Sequence, residues 1–363
     1  MTRQPTQLDG LTGLRGIAAW AVVIYHIRSG AGGWMPHLVE RIFARGFLAV
    51  DLFFMLSGFV IWLNYATWFE TRGWRGYGGF LQKRLARIWP LHALVLIAMT
   101  ALAALLAATG RATPIDYPWG QLPLHFALLQ NWGFTTELSW NHPAWSISTE
   151  FAAYLAFPVL VLIARPQKWP LPVLIAGVIG LALILGLIVT KVEGGVTGSH
   201  IPQLGLSRCL FQFAMGALVC LIWQRTMASA SRTSLIAALL FALVGGFWAF
   251  GPLRQPLGFP LAMAPLLLAL AHSDGGRWNP LRSRPLVWLG EISYSTYLIH
   301  FLGWRVFKLV LVSDAAAVSP LQTGMFMGLV LAGSVISYRL VEQPGRRWMA
   351  GLQFNKGLRT KAA

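Results

Sequence analysis

Apolar runs close to the length of a bilayer span recur along the whole chain, and the polar positions between them gather in short loops rich in Arg, Gly and Pro. The approximate apolar cores are 11–28, 47–64, 88–109, 144–164, 170–190, 207–223, 234–251, 257–272, 286–303 and 320–341. They predict an all-α, polytopic integral membrane protein with about ten transmembrane helices, since a helix satisfies its backbone polar groups within one segment in lipid. The stretch 122–132 is expected as a short or re-entrant piece, being too short to span.

Composition agrees with this pattern. With 56% hydrophobic and 11% charged residues among 363 and a mean hydropathy of +0.59, the chain carries more apolar surface than a soluble fold of this size can hide. The net charge of +17 is mainly a topology signal. Placing the N-terminus in the cytoplasm puts two thirds of the 29 Lys and Arg residues inside, so both termini are expected to be cytoplasmic. Basic residues scattered over inner loops fit orientation and anionic lipid headgroups, and nucleic-acid binding is set aside. Cys209 and Cys220 lie eleven apart on one expected helix, about 16 Å by helical rise, too far for a disulfide. No internal repeat and no cleavable signal peptide are expected. The organisation expected is one membrane domain over 1–345 and a basic cytoplasmic tail over 346–363, with the inner (plasma) membrane as location.

Ionisable residues inside apolar runs are costly, which makes them functional candidates. Arg15 and His26 bound the apolar stretch 16–25; eleven helical residues place both on one face, about 16 Å apart. An interfacial Arg and a helix-capping His are the plainer alternative. In this topology His26 lies toward the outside, where Asp51 and Glu150 are expected at similar depth, and a carboxylate on one imidazole nitrogen would leave the other to take a proton. Asp51 reads equally as a helix cap or a partner of Arg45. Ser146 and Glu150 share a helix face in Trp145-Ser146-Ile147-Ser148-Thr149-Glu150. Arg84 and Arg87, three apart on a helix entering from the cytoplasm, suit a phosphate ester or pyrophosphate, or serve as topological anchors. The hydroxyl-rich run Gly290 to His300 either lines a polar tunnel or bonds neighbouring helices, and Glu291 needs a partner in both cases.

On these residues the chain resembles the membrane-bound acyltransferase family 3. Leu11-Thr12-Gly13-Leu14-Arg15-Gly16 with His26 is similar to its opening motif, and Phe53-Phe54-Met55-Leu56-Ser57-Gly58-Phe59 to its second-helix motif. Arg84 and Arg87 match its Arg-x-x-Arg pair, Trp145 to Glu150 its Trp-Ser-x-Ser-x-Glu motif, and Leu289 to His300 its late Gly-x-x-Ser-Tyr-x-x-Tyr-Leu-x-His pattern. The resemblance implies transfer of an acyl group, usually acetyl from acetyl-CoA, to a hydroxyl of a carbohydrate, lipid-linked glycan or other envelope acceptor. It implies no metal. It also implies that Arg15 and His26 are required and that Arg84 and Arg87 serve the donor; an extracytoplasmic esterase-like domain of some members is not expected here.

The physical reading fits: cytoplasmic, polyanionic coenzyme A suits a basic inner mouth, and an alcohol needs a base such as His26, steadied by Glu150 or Asp51. Arg15 is too far from His26 to share one contact and is assigned to the donor's path. The rival reading is a secondary transporter or flippase using buried Arg, His and Glu, which calls for inverted repeats; a second is an acyl-CoA sensor without turnover.

Overall fold

The structure is a computed structural model that describes residues 7–31, 34–111, 116–193, 198, 200–276, 279–312 and 318–352. The tail from 353 onward lies outside them. The helices are α1 (Asp9–Ala31), α2 (His37–Phe43), α3 (Ala49–Arg72), α4 (Tyr77–Ala108), α5 (Leu122–Phe126), α6 (Trp145–Val159) and α7 (Leu171–Glu193). They continue with α8 (Ile201–Arg225), α9 (Ala230–Phe250), α10 (Gln255–His272), α11 (Arg284–Glu291), α12 (Ser293–Leu311), α13 (Pro320–Ser337) and α14 (Gln343–Gly351). No strand occurs among the described residues.

Eight stretches of the described residues are helical, long and apolar enough to cross a bilayer, and the longest, 37–108, holds both α3 and α4. The expected core 286–303 is not continuous: α11 stops at Glu291 and α12 starts at Ser293. His300, Arg305 and Lys308, together with its hydroxyl residues, keep α12 outside the eight, yet α12 lies at the centre of the site described below.

Helix packing decides which faces are internal. α3 and α8 approach so closely that a Cβ on Gly58 would sit 1.9 Å from the Phe213 carbonyl oxygen, and one on Gly216 would sit 1.9 Å from that of Met55. Small residues let membrane helices meet backbone to backbone. Below this contact, edge-to-face rings tie α3, α4 and α6 together, with Phe69 and Phe80 at 5.2 Å and Trp62 and Phe157 at 6.1 Å. At the opposite end of α1, Val23 and Ile27 pack with Trp304, Phe307, Phe326 and Val330 of α12 and α13. By contrast α9 is peripheral, with Leu235, Leu239, Leu243 and Phe247 exposed as expected of a lipid-facing helix.

The segment before α6 is largely irregular and packs against the helices around it. α5 is five residues long and is followed by an irregular chain, several of whose polar groups bond to the protein around it. His92 Nε2 meets the His125 carbonyl at 2.8 Å, Trp132 Nε1 donates to the Ser148 carbonyl at 3.0 Å, and Asn141 Nδ2 donates to the Leu298 carbonyl at 3.1 Å. Non-helical backbone is tolerated at such positions only when protein covers it. This segment delivers Trp145, the first residue of α6, against Phe54 at 5.7 Å, more than one turn into α3.

Candidate active site

A cavity of about 790 Å³ lies among α1, α3, α4, α6, α12 and the corner between α13 and α14. Its volume falls within the range of binding pockets for sizeable small molecules. Each sequence motif sends side chains into it: Arg15 from α1, Ser57 from α3, Arg84 and Arg87 from α4, Ser146 and Glu150 from α6, Tyr294 and Tyr297 from α12. The spacing expected of Arg84 and Arg87 on one helix is what α4 presents, and Ser146 and Glu150 do share a face.

The polar lining is ordered by specific bonds. Glu150 accepts from the Ser57 hydroxyl and, at 2.7 Å, from the Tyr154 hydroxyl. Arg15 donates to Ser293 Oγ at 3.2 Å, and Ser293 itself donates to the Gly290 carbonyl at 2.7 Å. Arg84 donates to the Tyr65 hydroxyl at 2.7 Å and stands over that ring. Arg87 makes no hydrogen bond or ion pair among the described residues, so its fork is free to take a ligand. Glu342, in the π-helical turn Tyr338–Glu342 that follows α13, is buried and accepts from Ser295 Oγ at 2.8 Å. π-helical turns are frequent at functional sites.

The hydroxyl run on α12 therefore does both things expected of it. Ser293, Tyr294 and Tyr297 line the cavity, while Ser295 and Thr296 are fully buried and bond Glu342 and the Ile292 carbonyl. Glu291 stands exposed at the cavity's edge.

His26 lies outside this cavity's lining. Its Nδ1 is 2.9 Å from the Val22 carbonyl oxygen and 3.2 Å from His300 Nε2. A carbonyl only accepts, so Nδ1 carries the proton and Nε2 keeps its lone pair. Tyr25 lies edge-on at 5.1 Å and Phe301 at 5.8 Å, and His142 stacks on Phe301. Tyr297 joins the cavity wall to the histidine pair: its ring is 6.0 Å from that of His300 and 5.9 Å from Phe53, and both Tyr297 and Phe53 line the cavity. The Tyr297 hydroxyl is anchored to the Pro143 carbonyl at 2.9 Å and to Ser146 Oγ at 2.7 Å.

The expected convergence of Asp51 and Glu150 on His26 does not occur. Asp51 is 1% exposed and takes a bidentate pair from Arg208, at 3.1 and 2.7 Å, with Gln212 of the same α8 as a third donor. It is neither a helix cap nor a partner of Arg45, which stands over Trp248 instead. Glu150 misses His26 because the irregular segment starts α6 against Phe54, so five further residues carry the carboxylate to the level of Ser57 and Arg15. The imidazole partner is His300, present in the late motif but given no role from sequence. Ser57, Tyr65, Tyr154 and Glu342 were likewise unassigned; the one signal for Glu342 was a carboxylate ending an apolar run.

The sequence matches the acyltransferase domain family over residues 8–339, nearly the whole chain. The chain belongs to the membrane-bound acyltransferase family 3. Among relatives of this acyltransferase, it is 30% identical to the acyltransferase MdmB of Streptomyces mycarofaciens, over 96% of this chain and 94% of that protein. It is 26% identical to a putative membrane-bound transacylase, BcsY, of Komagataeibacter xylinus, over 92% of this chain and 82% of the relative. A putative O-acetyltransferase of Staphylococcus aureus strain COL is 22% identical over 94% of this chain, which spans 57% of that relative. No solved structure matches. The protein is a multi-pass membrane O-acyltransferase, and catalysed transfer supersedes the transporter reading. Among the described residues no group of three or more His, Cys, Asp or Glu side chains is gathered as a metal site.

Proposed function

We propose that this acyltransferase takes an acyl group, most simply acetyl, from cytoplasmic acyl-CoA and esterifies a hydroxyl of a carbohydrate or other cell-envelope acceptor. One observation carries the reading: Arg15, Arg84 and Arg87 line a single cavity whose wall residue Tyr297 touches His300, the partner of His26. Guanidinium forks suit the pyrophosphate of coenzyme A, with Arg15 further along the donor's path. Tyr297 links the cavity wall to His300, and in this reading the thioester end passes that ring to reach His26.

In the transfer step His26 Nε2 takes the acceptor's hydroxyl proton as the oxygen attacks the thioester carbonyl carbon. The tetrahedral intermediate then collapses with cleavage of the C–S bond, and the departing thiolate receives the proton from the imidazolium. The products are the acceptor ester and free coenzyme A thiol. His300 orients the His26 ring through Nδ1, while Glu150, held by Ser57 and Tyr154, balances the arginines of the donor cavity. Asp51 holds α3 to α8.

The assay is direct. Purified protein in lipid nanodiscs, given radiolabelled acetyl-CoA and envelope glycans, is expected to release one free thiol per ester formed. Ester formation with no requirement for a CoA thioester would overturn the donor assignment.

The same reading places ten passes in the inner membrane with both termini cytoplasmic, because a CoA site must face the cytoplasm. A cysteine at the exposed position Leu38, introduced as Leu38→Cys, is expected to react with an impermeant maleimide in intact cells. Arg75→Cys, at the exposed turn between α3 and α4, should react only after permeabilisation. The reverse pattern would invert the topology.

A further inference from the structure

The α14 helix brings into the donor cavity two arginines that none of the sequence motifs contains. Arg346 and Arg347 both line it, beside Lys83, Arg84 and Arg87 of α4. Two contacts fix α14 there. Gly345 packs on Pro90 so tightly that a Cβ would lie 2.6 Å from that ring, and Gln82 Nε2 donates to the Met349 carbonyl at 2.9 Å. α14 thus runs back along α4, with residue 345 beside 90 and residue 349 beside 82, which sets Arg346 level with the α4 arginines.

Four guanidinium groups gathered at one mouth repel one another. Glu342 is the nearest built counter-charge, and Ser295 already engages it. Among the described residues Arg87, Arg346 and Arg347 make no hydrogen bond or ion pair, so their donors are free. An assembly of this kind is stabilised by a polyanion that accepts paired bonds from the forks.

We infer that Arg346 and Arg347 form a second phosphate subsite, which takes the ribose 3′-phosphate of the CoA thioester while Arg84 and Arg87 take its pyrophosphate. The inference rests on the acyl-CoA reading above. The thioester end must point toward Tyr297 and His26, which leaves the nucleotide end at the α14 mouth. There the α4 pair is partly buried and the α14 pair exposed, matching a pyrophosphate nearer the arm and a 3′-phosphate on the solvent side.

The test compares acetyl-CoA with acetyl-3′-dephospho-CoA as donors in nanodiscs of one lipid composition, and repeats the comparison across a series of phosphatidylglycerol contents. Wild-type protein is expected to show a donor KM about tenfold or more higher for the dephospho compound, the scale of losing a charge-assisted bond. Arg346→Gln with Arg347→Gln should raise the KM for acetyl-CoA to the dephospho level and leave the dephospho KM where it was. Arg346→Lys with Arg347→Lys should retain most of the preference, which separates charge recognition from damage to α14. Equal use of both donors by wild type, or an equal rise for both in the Gln variant, overturns the subsite while the donor reading stands. A KM that follows phosphatidylglycerol content and ignores the 3′-phosphate assigns the pair to lipid headgroups and overturns it as well. Ester formation from neither thioester removes the donor reading and this inference together.

Discussion

Replacing His26 by alanine is expected to lower acyl transfer by about 10²–10⁴-fold, the range for loss of a positioned general base. The donor KM should stay close to wild type, because His26 is not part of the cavity that holds the arginines. His300→Ala should cost less, since it removes a partner of Nδ1 and leaves the Val22 carbonyl to keep the tautomer. Measuring kcat and donor KM separately on reconstituted protein distinguishes these outcomes. Activity of His26→Ala within tenfold of wild type would remove this residue as the base.

Asp51→Ala is expected to lose folded protein before any effect on chemistry can be read. The change leaves the Arg208 guanidinium, 1% exposed, buried without its carboxylate, and breaking such a pair costs about 3–5 kcal/mol. Thermal stability in detergent is the measurement. Asp51→Leu combined with Arg208→Met removes both charges and should recover much of that loss, because a buried ion pair is often replaceable by apolar residues of similar volume. Recovery of transfer in the double variant confirms Asp51 as scaffold. A double variant that folds yet fails to transfer would return Asp51 to the reaction.

These two residues also mark where sequence reasoning reached and where it stopped. The separation of Arg15 from His26 by about 16 Å follows from helical rise alone, and the structure keeps them apart, Arg15 in the arginine-lined cavity and His26 outside its lining, beside His300. Arg84 and Arg87 were legible as neighbours because both stand on one helix, where a spacing of three sets their relation. Asp51 was misplaced because its face of α3 turns to Arg208 of α8, and Glu150 because its depth was counted from helix ends assumed to lie at one level. The segment between α4 and α6 breaks that assumption by starting α6 against Phe54, and its irregular backbone bonds have no periodicity to read.

Arg208 and Glu342 were missed for a related reason. Each is a single ionisable residue in an apolar run, and its partner, Asp51 or Ser295, is 157 or 47 residues away in sequence. The glycines of α3 and α8 show the same limit: Gly58 and Gly216 are unremarkable until the two helices are seen to touch through them.

By itself the sequence determined the solvent, the helical class, the faces of individual helices and the kinds of groups available for acyl transfer. Those properties are local, set by hydropathy and by the 3.6-residue turn. Tertiary structure alone decided which groups share a cavity, that His300 and not a carboxylate meets His26, and that α14 carries two arginines to that cavity. The reason is that helix register and depth are fixed by contacts between distant segments, where one turn of displacement, about 5.4 Å, carries a side chain from one site to another.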